Sequence, residues 1–297
     1  MRRDVFSEYH PLVEFLYFTL VLLCAMVLMH PVCLGISLLC ALWYDVELHG
    51  DRAVGAALRW LLPMMLLAAV FNPAFNHAGA TILLYLPSGN PLTLESILYG
   101  LAAAVLLAAV VVWFRCCAAV LTADKFVYLF GRILPALSLV LSMALRFLPK
   151  CAAQLRTIRM AQRCVGRDLS QGSVVQRMRN GVKMLSILIT WSLETALETA
   201  DSMKSRGYGL PGRTAFSIYR FDRRDRLALL WLLLCGGVIL AGGLGGAFSW
   251  RYFPTLGGPE LTGWSLACQV CLAALGLTPV YLNGKEGREW KRLRSGI

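Results

Sequence analysis

The chain has 297 residues, of which 58% are hydrophobic and only 15% charged, and its 29 Lys and Arg against 17 Asp and Glu leave a net charge of +12. A soluble domain is about 45–50% apolar and about 25% charged, so this composition, with a mean hydropathy of +0.62, excludes an ordinary soluble globule. The apolar surplus falls in blocks: Leu227–Phe248 and Leu261–Leu282 are each 22 residues without a charge. About 20 such residues at 1.5 Å each cross a hydrocarbon core, and a helix satisfies its own backbone there.

Arg2 and Arg3 precede an apolar run, Leu12–Met29. No small-residue cleavage site follows, only His30-Pro31 and more apolar sequence, so the run reads as a retained first span. The residue before a proline is pushed out of helix geometry, which makes His30-Pro31 a tight turn. Val32–Tyr44 is a short second span and Asp45–Arg59 a polar link. The third span is Trp60–Phe71, extended towards Ala53. Asn72–Glu95 carries no Lys or Arg and is expected outside. Within it, 81–86 reads as a strand, 87–91 as a turn and 92–95 as the return. The fourth span is Ile97–Phe114. Residues 126–145 are apolar but broken by Gly131, Arg132 and Pro135, and Ala136–Leu145 is too short to cross. The final spans are Leu227–Phe248 and Leu261–Leu282.

Charge is uneven. Residues 146–226 hold 16 of the 29 cations against six acids, and 283–297 hold five more. Lys and Arg stay on the cytoplasmic side of a membrane, so this bias reads as topology and no nucleic-acid partner is expected. Placing 45–59, 115–226 and 283–297 inside leaves both termini cytoplasmic, with Arg251 the one exception. The ten cysteines lie mostly in apolar runs, and the Cys268–Cys271 spacing has no second pair. They read as small packing residues. The histidines at 10, 30, 49 and 77 match no ligand spacing, so neither a metal nor a cofactor is expected.

Two amphipathic helices follow from periodicity in the basic region. In Pro149–Val165, apolar positions 148, 151, 152, 155 and 158 alternate with Arg156, Arg159, Arg163 and Arg167 on one stripe. In Val182–Ser205, Leu185, Ile189, Leu193, Ala196, Ala200 and Met203 form an apolar stripe, and Glu194, Glu198 and Asp201 an acidic one. Gly166 and Gly207 stand where a helix stops on a residue of positive φ. An arginine at such an end can fork two hydrogen bonds onto a carboxylate, which lysine cannot. Ordinary solvated helix ends, or pairing of the basic stripe with the acidic one, are the other readings of the same residues.

Ala161-Gln162-Arg163-Cys164-Val165-Gly166 and Ser205-Arg206-Gly207-Tyr208-Gly209 resemble the paired coupling motifs of the transmembrane T component of energy-coupling factor (ECF) transporters. Leu145-Arg146-Phe147-Leu148-Pro149, Phe71-Asn72-Pro73, Asn90-Pro91-Leu92-Thr93 with Tyr99-Gly100, and Arg213-Thr214 also fit that family. The resemblance covers roughly residues 10–282. It implies a non-enzymatic subunit whose Arg206, with Ser205 and Gly207, docks in one of two cassette ATPases. The first motif, Arg163, Cys164, Val165, Gly166 and Arg167, would dock in the other. A membrane S component that captures a vitamin or transition metal would complete the importer. The first motif departs from the family, which has arginine directly before the glycine. Here that residue is Val165, and Arg163 or Arg167 would supply the charge. No GxxxxGK[ST] phosphate loop occurs, so ATP hydrolysis would belong to other subunits.

The expected architecture is all-α: a polytopic helical protein of the cell membrane with spans in 1–125 and 227–282, a cytoplasmic coupling domain of amphipathic helices at 126–226, and a basic cytoplasmic tail at 283–297. The rival readings are a lipid-substrate membrane enzyme and a scaffold without an ATPase. The enzyme would need acids or histidines converging at membrane depth, and the long spans are expected to have none. The scaffold would purify without ATPases.

Overall fold

The computed structural model describes residues 4–76, 78–85, 91–131, 134–167, 173–210, 219–258 and 262–295. The fold is an all-α polytopic bundle, with α1 Pro11–Val27, α2 Pro31–His49, α3 Asp51–Ala56, α4 Leu62–Phe75, α5 Leu94–Val120, α6 Ala123–Gly131, α7 Pro135–Cys164, α8 Val174–Ser205, α9 Arg223–Leu244 and α10 Gly263–Ser295. A π-helical turn, Ala57–Leu61, joins α3 to α4, and β1 Ile82–Tyr85 pairs antiparallel with β2 Pro91–Thr93. The expected turn between these strands falls largely on 86–90, outside the described residues. The chain divides into two compact units, residues 1–122 with 219–297, and 123–218.

In the first unit α1, α2 and α4 pack against α5, and α10 packs against α2 and α9, over a core that includes Phe6, Tyr17, Phe18, Tyr44 and Trp113. Apolar side chains gain nothing by leaving lipid for a helix interface, so close packing and small residues hold such bundles. A Cβ on Gly100 of α5 would lie 2.8 Å from the Ala69 carbonyl oxygen of α4, and one on Gly276 of α10 would lie 2.9 Å from Cβ of Cys40 in α2. Polar ties add direction: Trp113 Nε1 donates to Ser37 Oγ at 3.1 Å, and the Tyr17 hydroxyl donates to the Gly276 carbonyl at 3.2 Å.

Helices α1 and α2 begin alike. His10 and His30 are N-caps whose Nδ1 accepts the N–H of Leu12 and of Val32, at 3.2 and 3.3 Å, each followed by proline in the first turn. Proline suits that place because its missing N–H would lack an intrahelical acceptor there. The Asp225 carboxylate accepts the N–H of His10 at 3.1 Å and of Asp222 at 2.9 Å, which ties the start of α1 to the start of α9.

Several expectations change. Asp45–Arg59 is not a polar link: α2 runs on to His49, and 51–61 is helical throughout. Asp45 is buried, with Arg115 Nη1 of α5 at 3.3 Å and His49 Nδ1 at 2.9 Å. A charge survives inside because its partner comes from another helix, which local sequence does not display. Nor are the spans free of acids, since Glu14 of α1, Asp45 and Glu95 are all buried. Pro149 does not begin a helix but sits inside α7, so the apolar 136–145 and the basic stripe form one 30-residue helix. Proline removes one ladder hydrogen bond and usually ends a helix; here the helix formers on both sides carry it through. Helix α8 starts at Val174 rather than Val182, and α10 continues through the basic tail to Ser295.

Among the described residues, six helical stretches are long and apolar enough to cross a bilayer: 31–49, 53–75, 94–120, 136–164, 223–244 and 263–289. The set differs from the expected six. At 17 residues α1 is shorter than these, and α7 joins the set because its apolar half is continuous with its basic half.

Candidate functional site

The second unit carries both sequence-proposed motifs. Helices α7 and α8 meet where Phe147 stacks on Trp191, with centroids 5.9 Å apart and planes at 10°. From that stack the helix axis runs about 27 Å to Val165 and about 22 Å to Arg206, at 1.5 Å per residue. Each motif therefore stands at the tip of a long arm.

The two tips have the same backbone. At the end of α7, Val165 is the C-cap with φ −86° and ψ 6°, and Gly166 has φ +76°. The Gly166 N–H reaches the Arg163 carbonyl at 3.0 Å and the Arg167 N–H reaches the Gln162 carbonyl at 2.9 Å. At the end of α8, Arg206 is the C-cap with φ −86° and ψ 9°, and Gly207 has φ +80°. The Gly207 N–H reaches the Lys204 carbonyl and the Tyr208 N–H the Met203 carbonyl, both at 3.0 Å. Both are Schellman motifs, in which the glycine takes a left-handed turn so that two terminal carbonyls find donors.

The matching backbones align the motifs position by position. Arg163 corresponds to Lys204, Cys164 to Ser205, Val165 to Arg206, Gly166 to Gly207 and Arg167 to Tyr208. Val165 therefore occupies the place of the arginine itself. Arg163 lies two residues before it on the helix, and Arg167 lies beyond the glycine. Arg163, Cys164, Val165, Arg167, Ser205 and Arg206 are all exposed, and Gly207 is partly covered. The Ser205 hydroxyl is turned back to the Ser202 carbonyl at 2.9 Å.

The arms themselves are uncovered. Ile158 and Met184 are buried, yet Leu148, Leu155 and Met160 of α7 and Leu185, Ile189 and Leu193 of α8 are exposed. The apolar stripes thus present a large apolar surface, the mark of a partner or lipid contact. The acidic stripe does not pair with the basic one: among the described residues Glu194, Glu198 and Asp201 are exposed and make no ion pair. Arg206 likewise makes none among the described residues.

Elsewhere, sequence reasoning missed a polar cluster in the first unit. The Asn283 amide donates to Asp4 at 2.6 Å and to Glu47 at 3.2 Å, while the Tyr44 hydroxyl donates to Asp4 at 3.0 Å. The only signal for it was the presence of acids near span ends. Its acids are engaged with neighbouring helices, and among the described residues no group of three His, Cys, Asp or Glu is placed to hold a metal. Arg213-Thr214 lies outside the described residues.

The profile of the CbiQ family, described as cobalt transport protein, matches residues 6–216. The chain is 41% identical over 105 residues to the energy-coupling factor transporter transmembrane protein EcfT of Lacticaseibacillus paracasei, a stretch that is 35% of this chain and 40% of that one. It is 35% identical over 105 residues to EcfT of Lactobacillus helveticus, covering 35% of this chain and 38% of the relative. It is 36% identical over 106 residues to EcfT of Bacillus selenitireducens, covering 35% and 40%. The matched stretch thus spans about two fifths of each relative's length. With the apolar helices and the paired helix ends, these matches show that the chain is a multi-pass membrane protein of the CbiQ cobalt transport protein family, EcfT/CbiQ-like in kind.

Proposed function

We propose that this chain is the transmembrane T component of an ECF-type importer, which transmits the motion of two cassette ATPases to a membrane S component that binds a vitamin or micronutrient. The ATPases dock from the cytoplasm, one on the tip of α7 and one on the tip of α8. The S component packs against the exposed apolar stripes of the arms. Both termini and the two helix tips of the second unit lie on the cytoplasmic side, in keeping with their basic character.

The observation that carries this reading is the pair of like-capped, exposed helix tips on long arms. A part that transmits force must be stiff, and a helix of 30 residues held at its middle by an aromatic stack is a lever. Arg206 at the C-cap extends a fork that suits a carboxylate in a groove. Arg206→Glu reverses that charge while leaving the cap backbone unchanged. The expected result is loss of ATPase co-purification and of ATP-driven uptake, with normal membrane insertion. Removing one partner of such a dock costs about 2–5 kcal/mol. A fully active Arg206→Glu transporter would overturn the assignment.

A further inference from the structure

A groove of about 300 Å³ opens in the membrane unit between α2, α5 and the π-helical turn that leads into α4. Three of its lining residues mark the level of lipid headgroups. Asp45 is the first charge after the apolar run of α2, and Arg115 the first after that of α5. Trp60 is 74% exposed at the start of the third apolar run, where interfacial aromatics sit. From this rim the wall continues one turn further into the apolar runs, over Leu61 and Met64 on one side and Val111 on the other. The groove is therefore charged at its rim and apolar at depth.

The rim carries a cation with donors to spare. The Asp45 carboxylate is 2% exposed and both its oxygens are engaged, Oδ1 by His49 and Oδ2 by Arg115. The Arg115 side chain is 33% exposed, and among the described residues Asp45 is its one ionic or hydrogen-bonding partner. A guanidinium has five N–H donors and no acceptor, so the groove offers a ligand donors held in place by the ion pair. The exposed Arg59 adds positive charge on the π-helical turn itself, a kind of turn that is rare and frequent at functional sites. We propose that this groove binds one anionic phospholipid, with its phosphodiester on the free N–H groups of Arg115 and an acyl chain laid over Trp60, Leu61, Met64 and Val111. Basic pockets between membrane helices take anionic headgroups. A free phosphate would use the rim and leave the apolar wall bare, and a choline headgroup would bring a second cation towards Arg115. The proposal holds whether or not the chain couples ATPases.

The test titrates phosphatidylglycerol, phosphatidylcholine and inorganic phosphate against the purified full chain in detergent, with retention read by native mass spectrometry. One phosphatidylglycerol should be held about tenfold more tightly than phosphatidylcholine, the worth of one charge-assisted hydrogen bond, and equal inorganic phosphate should not displace it. Val111→Trp fills the apolar wall from a side chain already 42% exposed and leaves the ion pair alone. It should weaken phosphatidylglycerol about tenfold, the loss of about two buried methylenes. Arg115→Lys keeps the charge but not the fork and should reduce the preference between the lipids. In a second arm, phosphatidylglycerol with a photoreactive acyl chain is crosslinked to the wild-type complex as purified from the membrane. The adduct should map to peptides holding 56–64 or 111–115. This arm needs no variant and decides the matter if Val111→Trp fails to fold. Equal retention of the two lipids, displacement by inorganic phosphate, undiminished binding in Val111→Trp, or an adduct elsewhere on the chain overturns the proposal.

Discussion

Arg115→Gln and Asp45→Asn break the same ion pair from opposite sides, and the structure ranks their costs. The Asp45 side chain is 2% exposed and that of Arg115 33%. Breaking a fully buried pair costs about 3–5 kcal/mol, because the survivor is an uncompensated buried charge. Arg115→Gln leaves the carboxylate, which water cannot reach, with only His49 beside it, so it should destabilise by about 3 kcal/mol, the low end of that range. Asp45→Asn strands the guanidinium, which is partly solvated, and keeps a polar group beside His49. Its cost should be about 1–2 kcal/mol after discounting for that exposure. The double variant should fall short of the sum by about 1–2 kcal/mol, the coupling of neighbours in one network. Equilibrium unfolding in mixed detergent micelles reads all three. Equal costs for the two single changes, or an additive double, would refute the claim that burial of Asp45 against α5 sets the balance.

Gly207→Ala should cost about 1–2 kcal/mol through the left-handed backbone, and a little more than Gly166→Ala, because a Cβ at 207 lies 3.1 Å from Leu210 Cδ1 whereas one at 166 meets nothing within 4 Å. Hydrogen exchange at the last turn of each helix would show the difference. Gly100→Ala should push α4 from α5, since the new Cβ meets backbone oxygen at 2.8 Å, and lower stability by about 1–3 kcal/mol in the same unfolding assay. Burial holds the imidazoles of His10 and His30 below the ordinary value of 6.5, with Asp225 opposing the shift at His10. The unfolded chain therefore takes up protons first as pH falls. The stability these caps contribute should be complete above pH 6.5 and decline below it. A melting temperature that rises on acidification from pH 7 to 5 would contradict the neutral caps.

Spans α5, α9 and α10 were legible because lipid imposes a long apolar run, and a run is visible in one dimension. The helix tips were legible too, since Gly166 and Gly207 announce a left-handed turn by residue type alone. What escaped was set by partners distant in sequence. Asp45 looks like a loop residue until Arg115 arrives from α5. Pro149 looks like a helix start because the mass of helix on either side is not a local property. The mismatch of Val165 was visible as a departure, but its place only became definite when the hydrogen bonds of both caps fixed the alignment. The exposure of Leu185, Ile189 and Leu193 inverted the usual reading of an amphipathic stripe, for periodicity reports a face and not what covers it.

The carboxylate of Asp225 clasps the start of α1 to the start of α9, although the segment from Ala123 to Ile218 is a separate unit between them. During synthesis Tyr17 therefore lacks its acceptor, and the socket for Gly276 stays unfilled, until about 150 residues beyond α5 have been made. The membrane unit is thereby completed only after the middle segment has been made.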